Sequence, residues 1–380
     1  SRVRRFAAAG YEQVEHMLAD AQAGTEGWAA ALRLIAQSET EPSRLVQRHS
    51  EIGAYLSDEV LASLDAAARR FLLQVSVLNR LNASLCDAVT DGSDSRATLE
   101  SLERKNLFLQ ALDAERSWFR LHPLLIEALQ NSPRLAGIDE SVLHARAAQW
   151  FIDRRMADDA FRHAVAAGDP WLAAQIAESW VVVKLESGEY RVIQGWVELV
   201  PGDWYASCPE LTILPIAFRV FSGDIEGSIA LLDELESRLQ SADIAGAIRL
   251  SAKVAVARCA IACFLDEVPT AEAYAARALR DLDVEDVTYR ANTHHALADT
   301  YRRHGRWDDA MRHYRQVLDL AHDPAFPVRS AHVYGAVADL ELRQGHLHEA
   351  AKLWRRNIAA IQHQQNWGKL PVPIIGWAHI

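Results

Sequence analysis

The chain has 380 residues, half of them apolar and 8% aromatic, with 40 Lys and Arg against 51 Asp and Glu and a formal charge of −11. That length allows two or three domains with buried cores, and no run of about 18 apolar residues is present to span a membrane. The acidic balance argues against contact with nucleic acid or an anionic membrane surface, both of which need a basic face.

The start, SRVRRFAAAG, has basic residues but no apolar stretch behind them, so it does not read as a signal peptide. It also lacks an initiating Met, which points to a piece of a longer protein. Four cysteines are too few for a disulfide framework. Cys259 and Cys263 share one helix face and read as small core residues, which suits a reducing cytoplasm. No metal, nucleophile or phosphate-loop motif is present, so the chain is not read as an enzyme. His346 and His348 read as solvated residues at a helix start.

Residues 1–54 read as helices. GTEGWAAALRLIAQS sets Trp28, Ala31, Leu32 and Ile35 on one face, with Thr25 as a cap. Residues 55–135 then show helix, helix, helix, hairpin, helix. Asp65 caps DAAARRFLLQVSVL, NASLCDAVT is a short helix, and RATLESLERKNL is a third, with Leu99, Leu102 and Leu107 on its apolar side. LFLQAL and SWFRLH are strands around a turn at DAER, and Pro123 opens the helix PLLIEALQ, where its missing N–H does no harm. That order is a winged helix. The unit has eight Lys and Arg against eleven Asp and Glu, so its wing is not expected to hold a duplex.

Residues 136–200 are helical, and 201–380 carry repeats. In ALADTYRRHGRWDDAMRHYRQVLDL, Leu297, Ala298, Tyr301, Gly305, Trp307, Ala310, Tyr314 and Leu318 fall where a tetratricopeptide (TPR) helix pair needs them. Turn positions at 188, 223, 266, 305 and 345 recur roughly every 40 residues. The fold class expected is mainly α: a winged-helix domain followed by a TPR-like α-superhelix in which only neighbours touch.

Taken together, TEGWAAALRLIA, FLLQVSVLNRLNASLCDAVT, LESLERKNLFLQALDAERSWFRLHPLLIEAL and LHARAAQWFIDRRMADDAFRHAVAAGDPWLAAQIAE resemble the MalT-like, ATP-dependent regulators of the LuxR family, within the STAND NTPases. The resemblance implies an ATPase core upstream and a helix-turn-helix downstream, with ADP or ATP bound by the full-length protein and no cofactor held by this segment alone. It also implies that His122, just before the last winged-helix helix, meets the β-phosphate of ADP in the resting state; Pro123 departs from the family pattern. A histidine packed against the wing is the other reading. Gly27 and Trp28 align with a nucleotide-side motif in which Ala29 replaces a proline, and Trp28 also reads as ordinary core. The effector, a small molecule or a protein, would act on the superhelix, where His294, His295, Arg302, His332 and Tyr334 are the candidates. Solvent-facing or inter-repeat packing is the alternative for each. Self-association on activation is a further implication. A TPR-like scaffold for a protein or peptide, without nucleotide switching, is the alternative function.

Overall fold

A computed structural model describes residues 64–104, 109–130, 137–186, 188–241, 247–320 and 330–363. The chain divides into two compact units, one ending at Asp169 and the other starting at Pro170. The expected helices before residue 64, with Gly27 and Trp28, lie outside the described residues, as does Leu107.

The first unit holds α1 (Ala66–Val75), α2 (Ala83–Thr90), α3 (Ser95–Arg104), β1 (Leu109–Ala111), β2 (Phe119–Leu121), α4 (Pro123–Gln130), α5 (Glu140–Asp153) and α6 (Ala157–Ala166). Local chemistry sets the helix starts. Asp65 accepts the Ala68 N–H at 2.7 Å, and Asn82 accepts that of Leu85 at 2.8 Å. The strands pair antiparallel with Leu109 opposite Leu121 and Ala111 opposite Phe119. A third, one-residue bridge joins Leu81 to Phe119 through both backbone bonds, at 2.7 and 2.8 Å. No sequence pattern announces it. Leu72, Val75, Leu85, Val89, Leu99 and Leu121 close the core, as an apolar face on each short element requires.

The second unit runs α7 (Pro170–Glu186), α8 (Tyr190–Leu199), α9 (Trp204–Ser207), a 3-10 turn (Pro209–Thr212), α10 (Ile213–Ser222), α11 (Ile225–Ser241), α12 (Ala247–Phe264), α13 (Val268–Asp281), α14 (Val287–Arg303), α15 (Trp307–Leu320), α16 (Ser330–Arg343) and α17 (Leu347–His363). Helices pack as pairs: α10 on α11, α12 on α13, α14 on α15, α16 on α17. All five expected turn positions, Gly188, Gly223, Asp266, Gly305 and Gly345, have a left-handed backbone with φ between 65 and 86°. After each, the next N–H donates to the carbonyl five residues back, as Arg306 does to Tyr301 at 2.9 Å.

The same turn occurs in the first unit between α5 and α6. There Arg155 takes φ 58°, and the Met156 N–H donates to the Phe151 carbonyl at 2.9 Å. This pair matches the α14–α15 pair at spaced positions: His144, Phe151, Asp158, Asp159, Ala160 and His163 stand where His294, Tyr301, Asp308, Asp309, Ala310 and His313 stand.

Tyr301, Ala310 and Tyr314 fill the space between α14 and α15, as their spacing predicts. Trp307 does not: it is 41% exposed, with Arg343 5.6 Å from its ring. Leu347, at the same position one repeat on, is 49% exposed. The first residues of α15 and α17 thus point outward, whereas Ile225 and Val268, which open α11 and α13, pack against the core; turn spacing does not reveal the difference.

Candidate functional site

The wing is held by its own turn. Asp113 accepts the Ser117 N–H at 2.7 Å, the Trp118 N–H at 3.2 Å and the Ser117 hydroxyl. These bonds, the hydroxyl foremost, hold its carboxyl below the usual carboxylate range. The turn delivers Trp118 edge-on to Trp150 of α5, with centroids 6.2 Å apart. Arg80 covers the Trp118 ring at 4.7 Å and donates to Asp159 of α6 at 2.8 Å; Arg154 lies 3.8 Å over Trp150. Arg146 of α5 reaches back to the Val89 carbonyl at 3.1 Å. The wing is therefore bonded to the helix pair that follows it.

His122 is half-buried between β2 and α4, and its carbonyl accepts the Leu125 and Ile126 N–H groups at 2.9 and 3.1 Å. A groove of about 560 Å³ between α1 and α3 is lined by Arg70, Gln74, Asp94 and Ser101, without His122.

In the second unit the effector candidates separate. His294 is buried between α14 and α15, its Nδ1 2.9 Å from that of His313. His295, one residue on, lines a cavity of about 180 Å³ between α7, α10, α12 and α14. Its Nε2 is 3.7 Å from Asp299, which also accepts the Tyr314 hydroxyl proton; Arg302 donates to the Tyr314 oxygen at 3.3 Å. Asp299 and Tyr314 thus hold Arg302 in place, and His295 lies beside Asp299 without a hydrogen bond between its Nε2 and that carboxylate. Tyr334 is half-buried on α16, apart from the residues lining this cavity, and the His332 side chain lies outside the described ones.

The cavity walls are apolar on three helices, and its polar edge holds Glu178, Lys253, Tyr289 and the α14 residues Thr288, Asn292 and His295. Lys253 is ion-paired with Glu178 and lies 5.0 Å from the Tyr289 ring centroid. Burial, with the Glu178 carboxylate adding to it, pushes the Tyr289 hydroxyl well above its ordinary pKa. A second cavity, of about 250 Å³, shares Glu178 and Lys253 and adds Trp171, Gln175, Glu210 and Arg249. Sequence reading missed this ion pair because its partners are 75 residues apart.

Residues 57–140 match the family model described as the MalT winged helix domain, and 293–328 match a tetratricopeptide repeat. The regulator MalT of Yersinia enterocolitica is 29% identical over 307 residues, covering 78% of this chain and 34% of that regulator. Over most of its length the chain is thus similar to MalT-type regulators, whose winged-helix domain residues 57–140 match. The serine/threonine-protein kinase PknK of Mycobacterium tuberculosis is 30% identical over 274 residues, 69% of this chain and 25% of the kinase. The chain thus spans a quarter to a third of the length of these MalT-like and PknK relatives. The crystal structure of a STAND protein with a tetratricopeptide repeat sensor from Pyrococcus horikoshii shares the fold, with TM-score 0.52 and 14% identity over 99% of this chain and 61% of that one. Among the described residues of this MalT-like chain, no helix is long and apolar enough to cross a membrane.

Proposed function

We propose that the chain is the regulatory and sensing segment of an ATP-dependent transcriptional activator. An effector bound to the repeats releases an ADP-locked resting state, biasing a closed–open equilibrium of the whole protein. The observation that carries this reading is the order of parts in one chain: a MalT-type winged helix with His122 just before its last helix, then TPR-type helix pairs. ATP hydrolysis, DNA binding and self-association on activation belong, in this reading, to the full-length protein; this segment catalyses nothing by itself.

His122 fits a phosphate contact. It stands half-buried at the N-terminal end of α4, where aligned peptide dipoles favour an anion, and its imidazole offers an N–H. Pro123 brings no N–H, which leaves the side chain as the principal donor. Bound nucleotide supplies the energetic difference between the two states. The chain's own part is to present His122 and to hold the wing rigid through Trp118 and Trp150.

Titrating ADP into the full-length protein, wild type against His122→Ala, tests the lock. At least a tenfold loss of affinity is expected. Equal affinity overturns the lock and leaves a helical-repeat scaffold for a protein or peptide.

A further inference from the structure

We infer that the cavity between α7, α10, α12 and α14 binds a small neutral amphiphile: one substituted aromatic ring or a short branched alkyl body carrying a single hydroxyl or amide. The inference rests on the reading of the repeats as a sensor and names the chemistry of what they sense.

Size comes first. A dry apolar cavity of about 150 Å³ takes benzene, and drug-sized ligands fill about 300 Å³ or more. At about 180 Å³, this cavity admits one ring with a substituent and excludes a nucleotide. The walls decide the body of the ligand. Val181 and Val182 of α7, Ile216 and Val220 of α10 and Val256 of α12 offer neither donor nor acceptor. Phe221 stands more than a third exposed among the same lining residues.

The fourth helix decides the head group. Thr288, Asn292 and His295 fall at i, i+4 and i+7, so one stripe of α14 carries hydrogen-bonding groups. The Asn292 Oδ1 is buried and has no hydrogen-bond partner among the described residues. A hydroxyl or amide N–H would satisfy it, and an unmade bond at such an atom is costly. Charge decides the rest. Glu178 and Lys253 neutralise each other at the polar edge, so a carboxylate or an ammonium on the ligand would have to compete with a formed pair. A neutral molecule does not. His295 lies 3.7 Å from Asp299, which accepts the Tyr314 hydroxyl, so a ligand that reorients His295 would be felt at Tyr314 of the next helix.

The test titrates benzyl alcohol, cyclohexanol and glycerol into the 380-residue chain, by calorimetry and by saturation-transfer NMR of the probe. Benzyl alcohol and cyclohexanol are expected to saturate and glycerol is not. Ala257 of α12 also lines the cavity, and Ala257→Phe, which fills it, should weaken benzyl alcohol at least tenfold with the helical circular dichroism retained. Asn292→Ala should weaken benzyl alcohol about fivefold and leave toluene unchanged. Toluene binding by the wild type provides the control for any variant that fails to fold. Failure of both alcohols to bind the wild type, or equal binding by folded Ala257→Phe, overturns the proposal. The ADP titration of His122→Ala is read separately. Equal ADP affinity of His122→Ala and wild type, with intact probe binding, overturns the nucleotide reading alone. A tenfold loss of ADP affinity in His122→Ala, with no probe binding, overturns the ligand class alone.

Discussion

The Nδ1 atoms of His294 and His313 lie 2.9 Å apart, and those of His144 and His163 lie 2.8 Å apart in the corresponding helix pair of the other unit. Each contact needs one ring to donate and the other to accept, so each pair holds at least one neutral imidazole. Aromatic rings complete the arrangement: Phe151 stacks on His163 at 5.4 Å, and Tyr301 lies 5.5 Å from His313.

Acid should therefore unfold the chain ahead of general carboxylate protonation. Burial lowers the pKa of His163 and His294 to about 4, from 6.5. Burial also lowers His144 and His313. The unfolded chain then binds more protons than the folded one between those values. Stability is full above pH 6.5, falls as pH drops, and levels off below about 4. The loss is on the order of 3 kcal/mol for each of the two most buried histidines. Urea melts from pH 7.5 to 4.5 check this, and His294→Leu combined with His313→Leu should flatten the slope.

The shared left-handed turn gives a paired prediction. Gly305→Ala forces a Cβ into φ 70°, with only Trp307 near it at 3.9 Å. The cost is then conformational, about 1–2 kcal/mol. Arg155 already bears that cost at φ 58°. Arg155→Gly should raise the melting temperature while Gly305→Ala lowers it, and thermal melts of both variants measure the contrast.

Wing docking should be visible in hydrogen exchange. Trp118→Ala removes the edge contact to Trp150 and the Arg80 stacking, a loss of about 1–3 kcal/mol. Native-state hydrogen exchange should quicken across β1, β2 and α5 and stay unchanged in α14 and α15. Equal quickening in both units would show that the wing is not specifically bonded to α5.

The ion pair at the cavity edge calls for a double-mutant cycle. Lys253→Met or Glu178→Leu alone strands a buried charge and should cost about 3–5 kcal/mol, whereas the two together should be close to neutral. Chemical denaturation of the four proteins gives the coupling energy.

Much of this was legible in the chain itself. The Asp65 cap, the Asp113 turn, the helix opening at Pro123 and all five repeat turns follow from residues that act over one to five positions. The rest depends on rotation about a helix axis or on distance along the chain. Helical spacing could not separate His294, which faces its partner helix, from His295, which faces the cavity. The Leu81–Phe119 bridge and the Glu178–Lys253 pair join distant residues that no local period connects. The kinship of α5–α6 with α14–α15 was readable from His, Asp-Asp-Ala and His at matched places, but Arg155 in place of a turn glycine concealed it.

The four cysteines are all unpaired and buried. Burial pushes the thiols of Cys86 and Cys208 up to about 12, so neither forms the nucleophilic thiolate while its surroundings stay closed. Iodoacetamide will therefore count opening events: Cys86 reports breathing of the winged helix, and Cys208 that of the repeat array. Mass-resolved alkylation rates would show which half loosens first, with no engineered label.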